Sequence, residues 1–147
     1  MSTESHWEHN FKLNPGEAAG FVYLIVNLKE NRLYLGRKFY RVRRGKSKGK
    51  PHSWEGYTSS SNKLNEDMKK LGKDNFKFYI IEEYKTLGGL TWAETWSLCR
   101  ARIPEQNELW YNRRIEKVAW ASPENITNRH MRRLDYFINK YKKRRKV

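Results

Sequence analysis

At 147 residues the chain can bury one domain's core, and it is too short for two such domains. Its 31 lysines and arginines stand against 16 aspartates and glutamates, a formal net charge of +15 that makes a compact chain repel itself. That balance calls for a polyanionic partner, nucleic acid ahead of an anionic membrane surface, since no long Lys-rich amphipathic helix appears beside a lipidation signal; nor does any apolar run approach the roughly 20 residues that span a bilayer. Hydrophobic residues make up 37% and charged residues 32%, so part of the chain must be surface or tail. The single cysteine, Cys99, excludes an internal disulfide and fits a reducing compartment. The opening MSTESHWEHN has no apolar stretch that could serve as a signal peptide, so a cytoplasmic or nucleoid-associated protein is expected.

Residues 1–19 read as a polar, loosely ordered arm with a turn at Asn14-Pro15-Gly16; His6 and His9 lack the further ligands of a metal site and read as surface. Phe21 to Asn27 is apolar on both parities, the mark of an internal strand. A polar turn, Leu28 to Asn31, returns the chain into an alternating strand, Arg32 to Arg37. If that turn holds four residues, Tyr23 and Tyr34 share a face, whereas a slip of one residue separates them. On composition alone the two tyrosines read as core.

From Arg37 to Pro51 there is no acid, and Arg37, Lys38, Arg41, Arg43, Arg44, Lys46, Lys48 and Lys50 make a basic loop. Its glycines, Gly45 and Gly49, oppose a helix, and like charges cannot pack together, so phosphate contact is the favoured reading over a solvated loop. The aromatic and hydroxyl-rich block His52 to Ser61 leads into a helix capped by Ser61 or Asn62, faced by Leu64, Met68 and Leu71, and ended by Gly72. Asn75 to Tyr84 reads as a third strand and Thr86 to Gly89 as a turn. A helix is expected from about Thr91 to Ala101, where Thr91 and Glu94 match a capping box. Pro104 breaks it, and Glu105 to Ile115 brings Trp110, Tyr111 and Asn112 together. Ser122-Pro123-Glu124 reads as the start of a last helix reaching about Tyr141 on Ile126, His130, Leu134, Phe137 and Tyr141. Arg129, Arg132, Arg133, Lys142, Lys143, Arg144 and Arg145 give that helix and tail a second nucleic-acid surface. The expected fold is α+β: a small three-stranded, mainly antiparallel sheet flanked by helices, with a basic C-terminal helix.

Phosphodiester hydrolysis needs charge stabilisation at the phosphoryl oxygens and an activated water. The close acid pairs, Glu66-Asp67 and Glu82-Glu83, are adjacent in sequence and point apart, which disfavours a site with several metal-binding acids. A site with one glutamate, an arginine, and a tyrosine or lysine near the water remains.

Phe21-Val22-Tyr23, followed eleven residues on by Tyr34-Leu35-Gly36, resembles the two-part signature of the GIY-YIG nuclease superfamily, in its phage-type, homing-endonuclease-like form. Gly36-Arg37-Lys38, the block from Trp54 to Ser60, Gly72 to Phe76, a helix with one glutamate and Trp110-Tyr111-Asn112 follow in the order of those members. The resemblance spans about Gly20 to Ile115, with Phe21, Val22 and Leu35 departing from the consensus. It implies a nuclease domain over residues 20–118; the basic helix and tail over 119–147, packed on the same domain, are then expected to serve as a small DNA-docking element. It implies that Tyr23 orients or deprotonates the attacking water and that Tyr34 meets the phosphate or its waters. Arg44, eight residues after Gly36, would stabilise the phosphoryl charge, with Arg37 and Lys38 as nearer alternatives. Glu94 would be the single protein ligand of one Mg²⁺ or Mn²⁺ ion, and Asn112 would hold backbone or a water. A free tyrosine has a pKa near 10, so Lys38, Arg44 and the metal would have to favour the Tyr23 phenolate. The activity implied is metal-dependent cleavage of double-stranded DNA by a phage or mobile-element enzyme, monomeric or weakly dimeric, with no small-molecule cofactor.

Overall fold

All eight residues of Gly20–Asn27 (β1) are buried, and this strand is the centre of the sheet. Arg32–Phe39 (β2) and Phe76–Tyr84 (β3) pair with it on either side, both antiparallel, in the order β2-β1-β3. The computed structural model describes residues 5–113 and 122–145, without the side chains of 143–145. The expected boundary at 118–119 and Ile115 fall outside the described residues.

Asn27 pairs with Arg32, so the turn holds four residues, with Asn31 in the left-handed region at φ 52°. Tyr23 is then opposite Gly36, and Ile25 opposite Tyr34. Because side chains alternate along a strand, Tyr23 and Tyr34 share a face and are diagonal neighbours. Gly20, opposite Phe39, has a close-approach role: a Cβ there would sit 2.1 Å from the Lys38 carbonyl oxygen.

The sheet has an apolar layer on each side. Val22, Leu24, Val26, Leu33 and Leu35 pack against two helices, Leu87–Arg100 (α2) and Asn128–Arg145 (α3). Phe21, Tyr23, Ile25, Phe78 and Ile80 pack against Leu64 and Met68 of Asn62–Leu71 (α1) and against Trp7. Ser61 caps α1 by accepting the Leu64 N–H, and Gly72 ends it at φ 92°, as the spacing predicts.

Three expectations need correction. Residues 5–19 are not loose: Glu8 bridges to Tyr79 through backbone hydrogen bonds with Phe78 and Ile80, and Trp7 is 5% exposed. A buried indole and a free strand edge to pair with outweigh the segment's polar composition. The second helix begins at Leu87 rather than Thr91, so the glycine pair Gly88-Gly89 lies in its first turn instead of a loop. Thr86 caps it, accepting the Gly89 N–H at 3.0 Å, and the Glu124 carboxylate accepts from the Thr86 N–H at 2.7 Å. Ser122-Pro123-Glu124 therefore does not open α3, which starts at Asn128; Glu124 serves the N-terminus of α2 instead.

Two buried polar groups fasten α3 to the rest. Glu82, 3% exposed, accepts two hydrogen bonds from the Arg129 guanidinium and one from the Thr127 hydroxyl. His130, fully buried, lies 2.9 Å from the Tyr84 hydroxyl and 2.6 Å from the Ser97 hydroxyl. Burial lowers the His130 pKa to about 4. The folded pKa lies below the unfolded one, so its contribution is complete above about pH 6.5 and is lost as pH falls towards 4. Stability should drop by about 3 kcal/mol over that window through this group. Urea unfolding at several pH values checks it: a His130→Gln variant should lose that share of the pH dependence. His6, also lowered to about 4 by burial and by Lys73, adds a slope of the same sign in both proteins.

Candidate active site at the β2 edge

Gly36 is the pivot of the site. A Cβ at this position would meet the Tyr23 hydroxyl at 2.6 Å and a Tyr34 ring carbon at 3.1 Å. Both phenols thus lie over a strand residue that has no side chain. Their ring centroids are 6.1 Å apart and tilted by 31°. Behind Tyr23, which is 1% exposed, stand Trp7 at 5.1 Å and Tyr57 edge-on at 5.9 Å.

Lys38 follows Gly36 on the same face and is 6% exposed. Its ammonium meets His52 Nδ1 and lies 4.3 Å above the Tyr57 ring. Burial lowers its pKa. His52, Tyr57 and Trp7 escape the sequence reading. The signal was indirect: a lysine on the parity of two core-facing tyrosines needs a buried partner, and the aromatic block after the basic loop supplies it.

Arg37 points to the opposite face, where its Nη1 donates to Glu94 Oε1 at 2.8 Å. Glu94 sits in the middle of α2, with Thr86 as the cap seven residues before its neighbour Ala93, so the capping-box reading of Thr91 and Glu94 is incorrect. The carboxylate and the guanidinium are each 22% exposed. Since α2 packs on the face opposite the tyrosines, the tyrosine face does not itself look onto Glu94. The two come together around the outer edge of β2, near enough for the Glu94 charge to raise the pKa of both phenols.

Asn112 fixes that edge. Its Oδ1 accepts the Leu35 N–H at 3.0 Å and its Nδ2 donates to the Leu35 carbonyl at 2.7 Å. Leu33 is bridged to Trp110 in the same way a further strand would be, so the edge is covered up to Leu35. Tyr111 secures this segment from below by donating to Asp67 Oδ2 at 2.6 Å.

The electrostatics depart from expectation at Tyr23. Burial first, then the neighbouring Tyr34 and Tyr57, push its pKa well above the ordinary value. Burial also raises Tyr34. Lys38 does not offset this, and both phenols keep their protons at neutral pH. Arg44, the arginine matched by spacing, is exposed in the basic loop and makes no hydrogen bond or ion pair among the described residues. Arg37 is the arginine brought to Glu94.

The basic residues divide. Val42 and Lys50 are hydrogen-bonded across a short hairpin with Gly45 and Gly49 at φ 84° and 87°, leaving Arg43, Arg44, Lys46, Lys48 and Lys50 exposed. Arg41 turns inward to the carbonyls of Pro15, Gly16 and Ala18. On α3, Arg129 is bound to Glu82, and Arg133 donates to the carbonyls of Ile80 and Ile81 and to Asn10. Arg132 and Lys142 are exposed, and the side chains of Lys143, Arg144 and Arg145 lie outside the described residues.

Among the described residues no group of three or more His, Cys, Asp or Glu could hold a metal ion. The donor set at the β2 edge fits one hard cation all the same. A partly exposed carboxylate can supply one oxygen, and magnesium commonly takes one or two carboxylates with water and substrate phosphate as its other ligands. No helix among the described residues is long and apolar enough to cross a membrane.

No curated protein and no solved structure matches the chain. Residues 4–115 match the family model described as "Putative endonuclease segE, GIY-YIG domain", and the chain belongs to that family.

Proposed function

We propose that this protein is a metal-dependent endonuclease that hydrolyses phosphodiester bonds of double-stranded DNA. The observation that carries the reading is the convergence at Gly36 and Arg37: two phenols over one side of the β2 edge, a carboxylate–guanidinium pair on the other. The family supports a nuclease, and the excess of cations supports a polyanionic substrate.

The proposed division of labour follows from the groups themselves. Tyr23 and Tyr34, kept protonated by burial, donate hydrogen bonds and orient the attacking water and a phosphate oxygen rather than acting as phenolates. Lys38, held between His52 and the ring of Tyr57, which packs against Tyr23, brings a cation to the tyrosine side of the site, where it favours the charge of the phosphate and of the attacking oxygen. Arg37 offers its guanidinium to the phosphoryl oxygens, and Asn112 holds the backbone that positions it. Glu94 would hold one Mg²⁺ or Mn²⁺ ion, which when bound supplies charge stabilisation at a phosphate oxygen and at the leaving oxygen. Arg44 and the exposed lysines of the hairpin meet flanking phosphates. The enzyme acts as a monomer or weak dimer on DNA in the cytoplasm, and a phage or mobile element is its proposed source.

The test is supercoiled plasmid incubated with the protein and Mg²⁺ or Mn²⁺, with and without excess chelator. Nicked and linear products that disappear with chelator are expected. Intact plasmid under both metals, with DNA binding retained, would leave a binding protein on a nuclease fold.

A further inference from the structure

A cleft of about 310 Å³ lies between the basic hairpin and the start of α2. Its lining combines Arg43 and Lys48 of the hairpin with Lys85 and Leu87 from the other side, over Ala19 and Val42. No acid lines it. Glu124 reaches the same end of α2, but its oxygens accept the backbone N–H groups of Lys85 and Thr86 and the Thr86 hydroxyl.

The cleft is joined to the β2 edge by cations. Phe39 carries the Arg37 guanidinium 5.3 Å from its ring centroid and that of Arg43 at 4.8 Å. The line therefore runs from Glu94 and Arg37 across Phe39 to Arg43, Lys48 and Lys85. Arg43, Lys48 and Lys85 are exposed, and their side chains make no ion pair among the described residues. Cations brought together without carboxylates repel one another, and a polyanion removes that cost. Gly49 shapes the wall that returns Lys48 to the cleft: it has φ 87° and open space where a Cβ would be. Leu87 and Glu94 are seven residues apart on α2, about 10 Å of helix, which puts the cleft and the β2 edge within reach of one nucleic-acid strand.

We propose that this cleft is a second phosphate-binding site, holding a phosphodiester of the substrate strand close to the one that is cut. It rests on the nuclease reading and adds Lys85, a residue outside both basic segments of the sequence, to the DNA contacts. The site fixes the direction in which the strand leaves the β2 edge.

The test is binding of the full-length protein to a labelled DNA duplex in chelator, from 50 to 200 mM salt, so that cleavage plays no part. The Lys48→Ala/Lys85→Ala variant should reduce the slope of log K against log salt by about 1 to 2, the loss of one or two phosphate contacts. The control, Lys69→Ala/Lys70→Ala on the exposed side of α1, removes the same charge and should change the slope by less than half as much. An unchanged slope in the cleft variant, or an equal change in the control, overturns the cleft while leaving the nuclease reading standing. Failure of the wild-type protein to bind the duplex overturns both.

Discussion

Replacing Gly36 with alanine should slow DNA cleavage about 10²-fold while the protein stays folded, because displacing a reacting group by about 1 Å has a cost of that order. The backbone of Gly36 needs no special conformation, so the effect is one of space. The added methyl would lie 2.6 Å from the Tyr23 hydroxyl and 2.7 Å from the ring carbon bearing it. A tyrosine at a surface would swing aside. This one is 1% exposed, with Trp7 and Tyr57 packed against its ring, so the phenol can yield only by disturbing its own pocket. Overpacking of this kind costs about 1–3 kcal/mol, part of it offset by the lower entropy of the unfolded alanine chain. Gly56→Ala is the control, since its Cβ meets nothing within 4 Å, and it should behave as wild type in both rate and urea midpoint. Full-rate cleavage by a folded Gly36→Ala protein would mean that the position of the Tyr23 hydroxyl does not matter.

Arg129→Ala should remove about 3 kcal/mol of stability, the lower end of the range for breaking a buried ion pair from one side. Glu82 is 3% exposed and stays in place when its partner goes. The Arg129 side chain is itself 45% exposed, which admits water and keeps the loss below the upper end of that range. Burial alone would raise the Glu82 pKa; the hydrogen bonds from Arg129, Thr127 and the Glu83 N–H overcome it and hold the group below its ordinary value. Without the guanidinium the carboxyl becomes easier to protonate, so the deficit should shrink as pH falls. Arg132→Ala, three residues on and exposed, should cost less than about 0.5 kcal/mol. Urea unfolding of the pair at pH 7.5 and 5 separates them. Equal stability would assign Arg129 to the surface that its sequence pattern suggests.

That contrast shows what a sequence can reveal of this molecule. A short run apolar on both parities, followed by a turn, reads as an internal strand, and an even turn puts Tyr23 and Tyr34 on one face; both signals are local. The caps of α1 are local too, from Ser61 and Gly72. The start of α2 was hidden because Gly88-Gly89 reads as a turn, while the helix is supported there by Glu124, 35 residues after the second glycine in the chain. Charge counts likewise saw Arg129 and Arg133 as a DNA face, without the Glu82 carboxylate and the β3 carbonyls that hold them. At the site, the order of motifs pointed to Glu94 and Asn112, and spacing pointed to Arg44. The ion pair of Arg37 with Glu94 and the contacts of Lys38 with His52 and Tyr57 depend on which residues face each other across β2, information that exists only after the sheet has formed.

Glu94 lies on the far side of β2 from the tyrosines, and its proposed membership of the same catalytic site has a direct test. That test is single-turnover cleavage of bound duplex DNA by the wild type and by Glu94→Ala in Mg²⁺, with affinity measured alongside. Cleavage by Glu94→Ala should be slower by about 10³-fold, some 4 kcal/mol in the barrier, with affinity within a few-fold of wild type. Equal cleavage rates for the two proteins would contradict it.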